Sequence, residues 1–262
     1  NVKMVLEAIH MPRKAIEILS SFWINFGSGI SDLSFLHFCF IVESYVKYKP
    51  FVPILTPHEI SITLATEFTS LGGTIKYLTE AQEILVENNK VVGVKTENDT
   101  FACNHLIAAI SPLTVYGNLI KRENVPDDAL KLQNKRTLGA KEITVYLGLN
   151  KTTEELGLSH YQYFILNSLD SVTEQKKMDT VKNGNLVATI LNNGVKTASR
   201  SGTSIIILNS LFFGSEFDKN VTPENYYEYK EELASFLIQE FEKSTGTQIK
   251  SSIEEIEVAT PI

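Results

Sequence analysis

Apolar residues recur at helical spacing near the start of the chain, and residues 1–48 are predicted to be mainly helical. Met11-Pro12 opens one of these helices, because proline suits a helix start. The Gly-Ser-Gly sequence at 27–29 is predicted to break the helical stretch, and Ser31 to cap the next helix. The segment 48–53 contains two prolines and is predicted to be an extended link.

The helix predicted over 57–71 has the most complete boundary signals in the sequence. Thr56 and Glu59 match a capping box, Pro57 fits the first helical position, and Gly72 can end the helix in the left-handed conformation. Its apolar positions form one stripe, made of Ile60, Leu64, Phe68 and Leu71.

After Gly72 the period changes from that of a helix to that of strands. The predicted strands are 74–78, 83–87, 91–96, 105–110, 142–149, 161–166, 186–191 and 204–208. Asn88-Asn89 is predicted to form a hairpin turn, and 105–110 a fully buried strand. The stretch 150–185 looks irregular outside 161–166, and a last helix is predicted from Thr222-Pro223. Strands and helices do not alternate regularly, which predicts an α+β fold.

Composition and charge indicate which kinds of binding partner the chain is suited to. The chain has 24 Lys and Arg against 31 Asp and Glu, a formal net charge of −7, so nucleic-acid binding is not expected. The apolar share of 43% is enough for a packed core. The most apolar run, 33–42, is about half of the roughly 20 residues that a membrane span needs, so it is predicted to be a buried helix. Peripheral contact with a membrane surface is kept as an alternative.

Residue types that carry metal or acid–base chemistry are not grouped at recognised spacings. The five histidines are scattered, so no metal site is predicted. The two cysteines, Cys39 and Cys103, are expected to be thiols in a reducing compartment, and the location is predicted to be cytoplasmic. The Gly-x-Gly at 27–29 follows a helical pattern and lacks the third glycine of a dinucleotide fingerprint. Composition and spacing alone therefore assign no reaction.

Several stretches, taken in order, resemble a known family. They are Trp23 to Gly27, 71–75 (LGGTI), 86–94 (VENNKVVGV), 106–112, 145–149 (VYLGL), 229–242 and 253–261 (IEEIEVATP). Together they resemble the FAD-dependent oxidoreductases of the phytoene desaturase, carotenoid isomerase and retinol saturase group. No single stretch is specific, but the ordered set covers most of the chain, with 150–222 the weakest part.

The resemblance implies an amine-oxidase-like fold whose substrate domain has a mixed, largely antiparallel sheet with flanking helices. Residues 1–70 would form the helical part of the substrate domain, and 113–262 its sheet and C-terminal helix. Residues 71–112 would be a β-hairpin piece of the FAD-binding domain. The chain lacks the family's Gly-x-Gly-x-x-Gly unit, so it is expected to be an interior fragment that pairs with the remainder of its own chain and does not retain FAD alone.

The resemblance also implies roles for individual residues. The main chain at Ala81 would lie against the adenine of FAD. Where relatives carry Gly-Gly, this chain has Leu55-Thr56, which puts flavin use in question because a backbone cannot approach a ligand so closely there. Aromatic residues are candidates to line an apolar substrate channel, namely Trp23, Phe35, Phe38, Tyr146, Tyr163 and Phe164, although ordinary core packing explains the same residue types.

The function implied is hydride transfer between flavin and a lipophilic, polyene-like substrate, with the cofactor supplying the redox chemistry. The fragment alone is expected to be inactive. The alternative is a non-catalytic module that binds a lipophilic ligand or a partner protein. Carotenoid, retinoid, fatty chain and amine substrates all remain open at this point.

Overall fold

The structure is a computed structural model, and it describes residues 1–54, 57–136 and 139–261. The predicted capping residue Thr56, and the Leu55-Thr56 pair as a whole, lie outside the described residues. The chain divides into two compact units: one is formed by Asn1–Ile60 together with Gly139–Ile262, and the other by Ser61–Leu138. The assignment of 71–112 to a cofactor domain stays a prediction.

The larger unit begins with helices, as predicted for residues 1–48. Its helical elements before the sheet are α1 (Val2–Ala8), α2 (Arg13–Ser20), a 3-10 helix (Ser21–Phe26) and α3 (Phe35–Tyr48). Gly27 ends the 3-10 helix with φ 65°, a left-handed conformation that glycine adopts readily, so the predicted helix break is confirmed. Ser34, not Ser31, precedes α3, and its side chain makes no capping hydrogen bond. The prediction of Ser31 as the cap is therefore wrong.

A five-stranded sheet is the centre of the larger unit. Its strands are β4 (Lys141–Leu149), β5 (Gln162–Ile165), β6 (Leu186–Ile190), β7 (Ser204–Phe212) and β8 (Ile253–Ala259). The order is β5-β6-β7-β4-β8, and all its pairings are antiparallel. The predicted strands 142–149, 161–166, 186–191 and 204–208 are confirmed. β8 was not predicted as a strand, because its glutamates obscure the alternation of apolar residues.

One face of this sheet packs against the long helix α10 (Tyr226–Thr245). Alternate residues of the central strands, such as Val145 and Leu147 of β4, are fully buried beside Leu233, Leu237 and Phe241 of α10. These are the apolar positions that the helical pattern predicts. Burial of a Leu or Phe side chain contributes about 1.5–3 kcal/mol, so this face is the main core of the unit.

Two smaller clusters join the first helices to the rest of the larger unit. Val2, Leu6, Ile30, Leu33 and Phe38 form one cluster among the helices. The other is formed by Trp23, Ile24, Met178 and Val187, and Val187 comes from the face of the sheet opposite α10. The short elements that complete the unit are α7 (Ser171–Lys177), α8 (Leu191–Gly194), α9 (Glu216–Asn220) and 3-10 turns at Val181–Asn183 and Lys250–Ser252.

Helix α4 (Pro57–Ser70) begins in the larger unit and continues into the smaller one, and Gly72 follows it with φ 88°, as predicted. The smaller unit then has a three-stranded antiparallel sheet of β1 (Ala81–Glu87), β2 (Lys90–Thr96) and β3 (Thr100–Ala102). Asn88 and Asn89 form the predicted turn with φ 48° and 62°. The remaining helical pieces are α5 (Pro112–Thr114), a π turn (Val115–Leu119), a 3-10 turn (Arg122–Asn124) and α6 (Asp127–Asn134).

Two predicted strands are absent from the described residues. Residues 74–78 and 105–110 have no strand assignment, and Ile107 is 94% exposed. A strand requires a neighbour to pair with, and the register of the three-stranded sheet places none beside these residues. The prediction that 150–185 is irregular missed α7, which Asp170 caps. None of the helices among the described residues is long and apolar enough to cross a bilayer.

Candidate functional site

An apolar groove lies in the larger unit between its first helices and the edge of its sheet, and we call it the α2–α3 groove. Its volume is about 370 Å³. Its lining comprises Leu19, Asn25, Phe26, Ile41, Val42, Tyr45, Val46 and Gln162. Six of these eight side chains are apolar or aromatic, the composition typical of a small-molecule site.

The local sequence explains how these side chains meet. Ile41, Val42, Tyr45 and Val46 follow one another at helical spacing, so they share one face of α3. The core fixes part of the lining in place, because Leu19, Phe26 and Val42 also pack against the buried cluster that contains Phe38. The Phe26 and Phe38 rings meet edge to face, with 5.8 Å between centroids. Tyr45 and Val46 remain 49% and 75% exposed, and form the rim.

Two amide side chains and the Tyr45 hydroxyl are the polar groups of the lining. Asn25 is exposed at the end of the 3-10 helix. Gln162 is half-buried on the edge strand β5, and its Nε2 donates to the Thr189 hydroxyl across the strand pair at 3.5 Å. The lining contains no carboxylate, ammonium, guanidinium or imidazole group. It can therefore bind and orient an uncharged apolar molecule, and apart from the Tyr45 phenol at the rim the lining offers no general acid or base.

None of the six residues predicted to contact substrate is part of the groove lining. Trp23 is 1% exposed and Phe38 is 5% exposed, and both lie in core clusters that share Phe26 with the groove. Phe35 is half-buried against the Phe38 cluster. Their contact with a substrate stays a prediction.

The other predicted residues lie on the sheet. Tyr163 faces the α10 core, where its ring is 6.3 Å from that of Phe241. Phe164 points to the opposite face and packs with the Trp23 cluster. Tyr146 also lies on that opposite face and is 42% exposed. Strand register connects it to the groove through one row of the sheet, which runs Gln162, Thr189, Ile207 and Tyr146.

Sequence reasoning missed all eight residues of the lining. The predicted channel residues are all aromatic, whereas Ile41, Val42 and Val46 of the lining are aliphatic. The run 33–42 carried a usable signal, since it continues into a helix that is apolar on more than one face. Nothing in the pattern around Gln162 distinguishes it from an ordinary strand residue.

The groups whose pKa values are shifted lie outside the groove. The Thr173 hydroxyl and the backbone N–H groups of Thr173 and Val172 hold the pKa of Asp170 below its ordinary value, against the opposing effect of burial. Burial raises the pKa of Tyr161, whose ring packs closely against Gly194. Among the described residues, no three acids, histidines or cysteines are placed to hold a metal ion.

Ala81, the residue predicted to contact the adenine of FAD, is half-buried at the start of β1. β1 is an edge strand, so part of its main chain faces away from β2 and can contact a ligand. A bulge follows between Ala81 and Glu83. The described residues thus fit one main-chain contact to a cofactor and no phosphate cradle, so we derive no reaction step through FAD from them.

Comparison with known proteins gives the following. No protein-family model matches the chain. In sequence, the chain is 22% identical over 203 residues to the chloroplast prolycopene isomerase of Arabidopsis thaliana and 25% identical over 207 residues to that of Daucus carota. Each match covers 77% of this chain, which spans about a third of the length of these relatives (33% and 32%).

Two solved structures share the fold over 99% of this chain. An oxidoreductase from Methanosarcina mazei superposes with a TM-score of 0.68 at 13% identity, and the match covers 56% of that chain. The PF1083 protein of Pyrococcus furiosus superposes with a TM-score of 0.63 at 16% identity over 58% of its chain. The predicted α+β fold, with antiparallel sheet and flanking helices, is confirmed. The resemblance predicted from the sequence is also confirmed: the chain is similar to the carotenoid isomerase and desaturase group of FAD-dependent oxidoreductases.

Proposed function

We propose that this chain is the substrate-binding part of an FAD-dependent oxidoreductase that acts by hydride transfer on a lipophilic, polyene-like molecule. The observation that carries the proposal is the sequence similarity to two prolycopene isomerases across 77% of the chain. By this proposal the described residues work together with a flavin-binding part of the same protein, and they are inactive without it.

The α2–α3 groove supports the proposal. Its lining offers an apolar wall with no charged group, as a lipophilic substrate requires. The absence of an acid–base pair in that lining agrees with chemistry in which FAD carries the hydride and the protein binds and orients the substrate. Ala81 would contribute a main-chain contact to the cofactor.

The test uses the protein expressed from its full reading frame. We expect flavin absorbance at ~450 nm, a property of the cofactor. We also expect the flavin spectrum to change when retinol, a polyene alcohol, is added as an apolar probe. The spectral change should be lost in Val46→Asp, which places a charge on the exposed rim of the groove.

The matched control is Ile18→Asp. Ile18 is 53% exposed on α2 but does not line the groove, so this variant should respond to retinol as the unmodified protein does. A colourless protein that binds no FAD would defeat the proposal, and so would a flavin response that survives Val46→Asp.

The second candidate is a non-catalytic module that binds a lipophilic ligand. The observation in its favour is that the groove is formed entirely within the larger unit, from α2, the 3-10 helix, α3 and β5. A protein that binds retinol at this groove but contains no flavin would support the module.

A further inference from the structure

We propose that the α2–α3 groove selects an uncharged apolar chain that ends in a hydrogen-bonding group, a hydroxyl or a carbonyl, and that Gln162 holds that end. The inference rests on the proposed function only in taking the groove as the substrate site. It narrows the substrate class, because it excludes amines, carboxylates and plain hydrocarbons as the preferred ligands.

The first step is the charge of the lining. A carboxylate or ammonium group brought into a mostly apolar groove loses hydration, and a charged partner is needed to offset that loss. The eight lining residues supply none. Chains with a charged end should therefore bind more weakly than neutral chains of the same length.

The second step is the chemistry of Gln162. An amide side chain carries two N–H donors and one carbonyl acceptor. One donor reaches the Thr189 hydroxyl over 3.5 Å, a long hydrogen bond, so the second N–H and the carbonyl oxygen remain for a ligand. A hydroxyl can bond to both, and a carbonyl can accept from the N–H. Asn25, on the 3-10 helix, offers a second amide at the exposed side of the same groove.

The third step is size. The groove volume of about 370 Å³ lies near the lower end of the ~300–1,000 Å³ range of ligand pockets. That volume suits a single chain. Within such a groove one terminal hydrogen bond can decide between ligands that are otherwise alike.

The experiment compares pyrene-labelled decyl chains that end in methyl, hydroxyl, aldehyde, carboxylate or ammonium, added to the protein expressed from its full reading frame. Binding is followed by the anisotropy of pyrene emission, and loss of the signal in Val46→Asp assigns the binding to the groove. One neutral hydrogen bond predicts that the hydroxyl and aldehyde chains bind about three- to ten-fold more tightly than the methyl chain. The charged chains should bind more weakly than either.

Gln162→Leu should abolish the advantage of the hydroxyl chain while the methyl chain still binds. Gln239→Leu is the matched control, because Gln239 is exposed on α10 and should leave the preference unchanged. Gln162→Glu should shift the preference toward the ammonium chain, which gives a positive signal even if the leucine variant folds poorly.

The inference is overturned if the hydroxyl advantage persists in Gln162→Leu, if the carboxylate chain binds as tightly as the hydroxyl chain, or if no chain binds. These results are separable from the proposed function. A flavin-free protein that shows the preference would overturn only the oxidoreductase proposal, and a flavoprotein without the preference would overturn only this inference.

Discussion

At the scale of single residues, Trp23 illustrates how burial limits what a sequence can reveal. An aromatic residue at helical spacing is compatible with a channel wall and with a core. The structure places Trp23 at 1% exposure beside Met178 and Val187, two residues that are far from it in the sequence. Only the tertiary contacts separate the two roles, since pockets and cores use the same side chains.

Asp170 provides a residue-scale prediction about stability. It precedes α7, and its carboxylate accepts hydrogen bonds from the Thr173 hydroxyl at 2.8 Å and from the backbone N–H of Val172 at 3.2 Å. Asp170→Ala removes this cap and should lower the free energy of unfolding by about 0.5–2 kcal/mol at neutral pH. Urea unfolding followed by circular dichroism measures the loss.

The pH dependence of that loss follows from the direction of the pKa shift. The folded-state pKa of Asp170 lies below its unfolded value, so its stabilising contribution is present above the unfolded pKa, about 3.9, and is lost as the pH falls through the folded pKa. The difference between the two proteins should therefore shrink below about pH 4. Thr180 caps a neighbouring 3-10 turn with a hydroxyl, so Thr180→Ala should show no such trend. A loss for Asp170→Ala that is constant down to pH 2–3, roughly a unit or more below that value, would contradict this account.

At the scale of elements, two of the three phenylalanines of α3 have opposite environments. Phe38 is 5% exposed in the helical cluster, whereas Phe40 is 70% exposed. Phe38→Ala should lower the free energy of unfolding by about 3–5 kcal/mol. Phe40→Ala is the matched control and should change it by less than about 0.5 kcal/mol. Equal effects in urea unfolding would show that α3 presents a different face to the core.

The β1–β2 hairpin permits a prediction about its turn. Asn88 and Asn89 both have positive φ, which β-branched residues adopt only at a cost of roughly 1–2 kcal/mol. Asn89→Val should therefore speed amide hydrogen exchange across 81–96, whereas Asn89→Gly should leave it unchanged or slow it. Asn98→Val is the control, because Asn98 lies beyond β2 and outside the set of positive-φ residues in the described chain. Faster exchange in Asn98→Val of the same size would contradict the turn assignment.

The strands also show where the apolar pattern of the sequence is sufficient to predict a strand and where it is not. The strands β4, β6 and β7 either alternate between apolar and polar residues or are mostly apolar, and they lie in the middle of the five-stranded sheet. The sequence pattern and the strand pairing therefore agree. The run at 105–110 is as apolar as β6 but is not paired among the described residues, and Ile107 is exposed. An apolar run indicates a preference for burial, but strand formation also depends on a neighbouring strand.

At the scale of the whole molecule, the resemblance to a group of known proteins was carried by an ordered set of short stretches and not by any single motif. The irregular order of strands and helices indicated the α+β class, and the predicted strands formed most of the five-stranded sheet. The groove was not predictable in the same way. Its lining joins residues 19–26, 41–46 and 162, which only the folded chain brings together, and Gln162, one of its polar residues, lies on a strand of four residues.

The central claim is that the α2–α3 groove holds a lipophilic substrate, and photolabelling tests it most directly. A decyl alcohol carrying a diazirine is irradiated with the protein expressed from its full reading frame, and the labelled peptides are identified by mass spectrometry. The account predicts labels within Arg13–Phe26 and Phe35–Tyr48, lost in Val46→Asp and kept in Ile18→Asp. Labels concentrated on the exposed apolar residues of Pro57–Ser70, or unaffected by Val46→Asp, would contradict it.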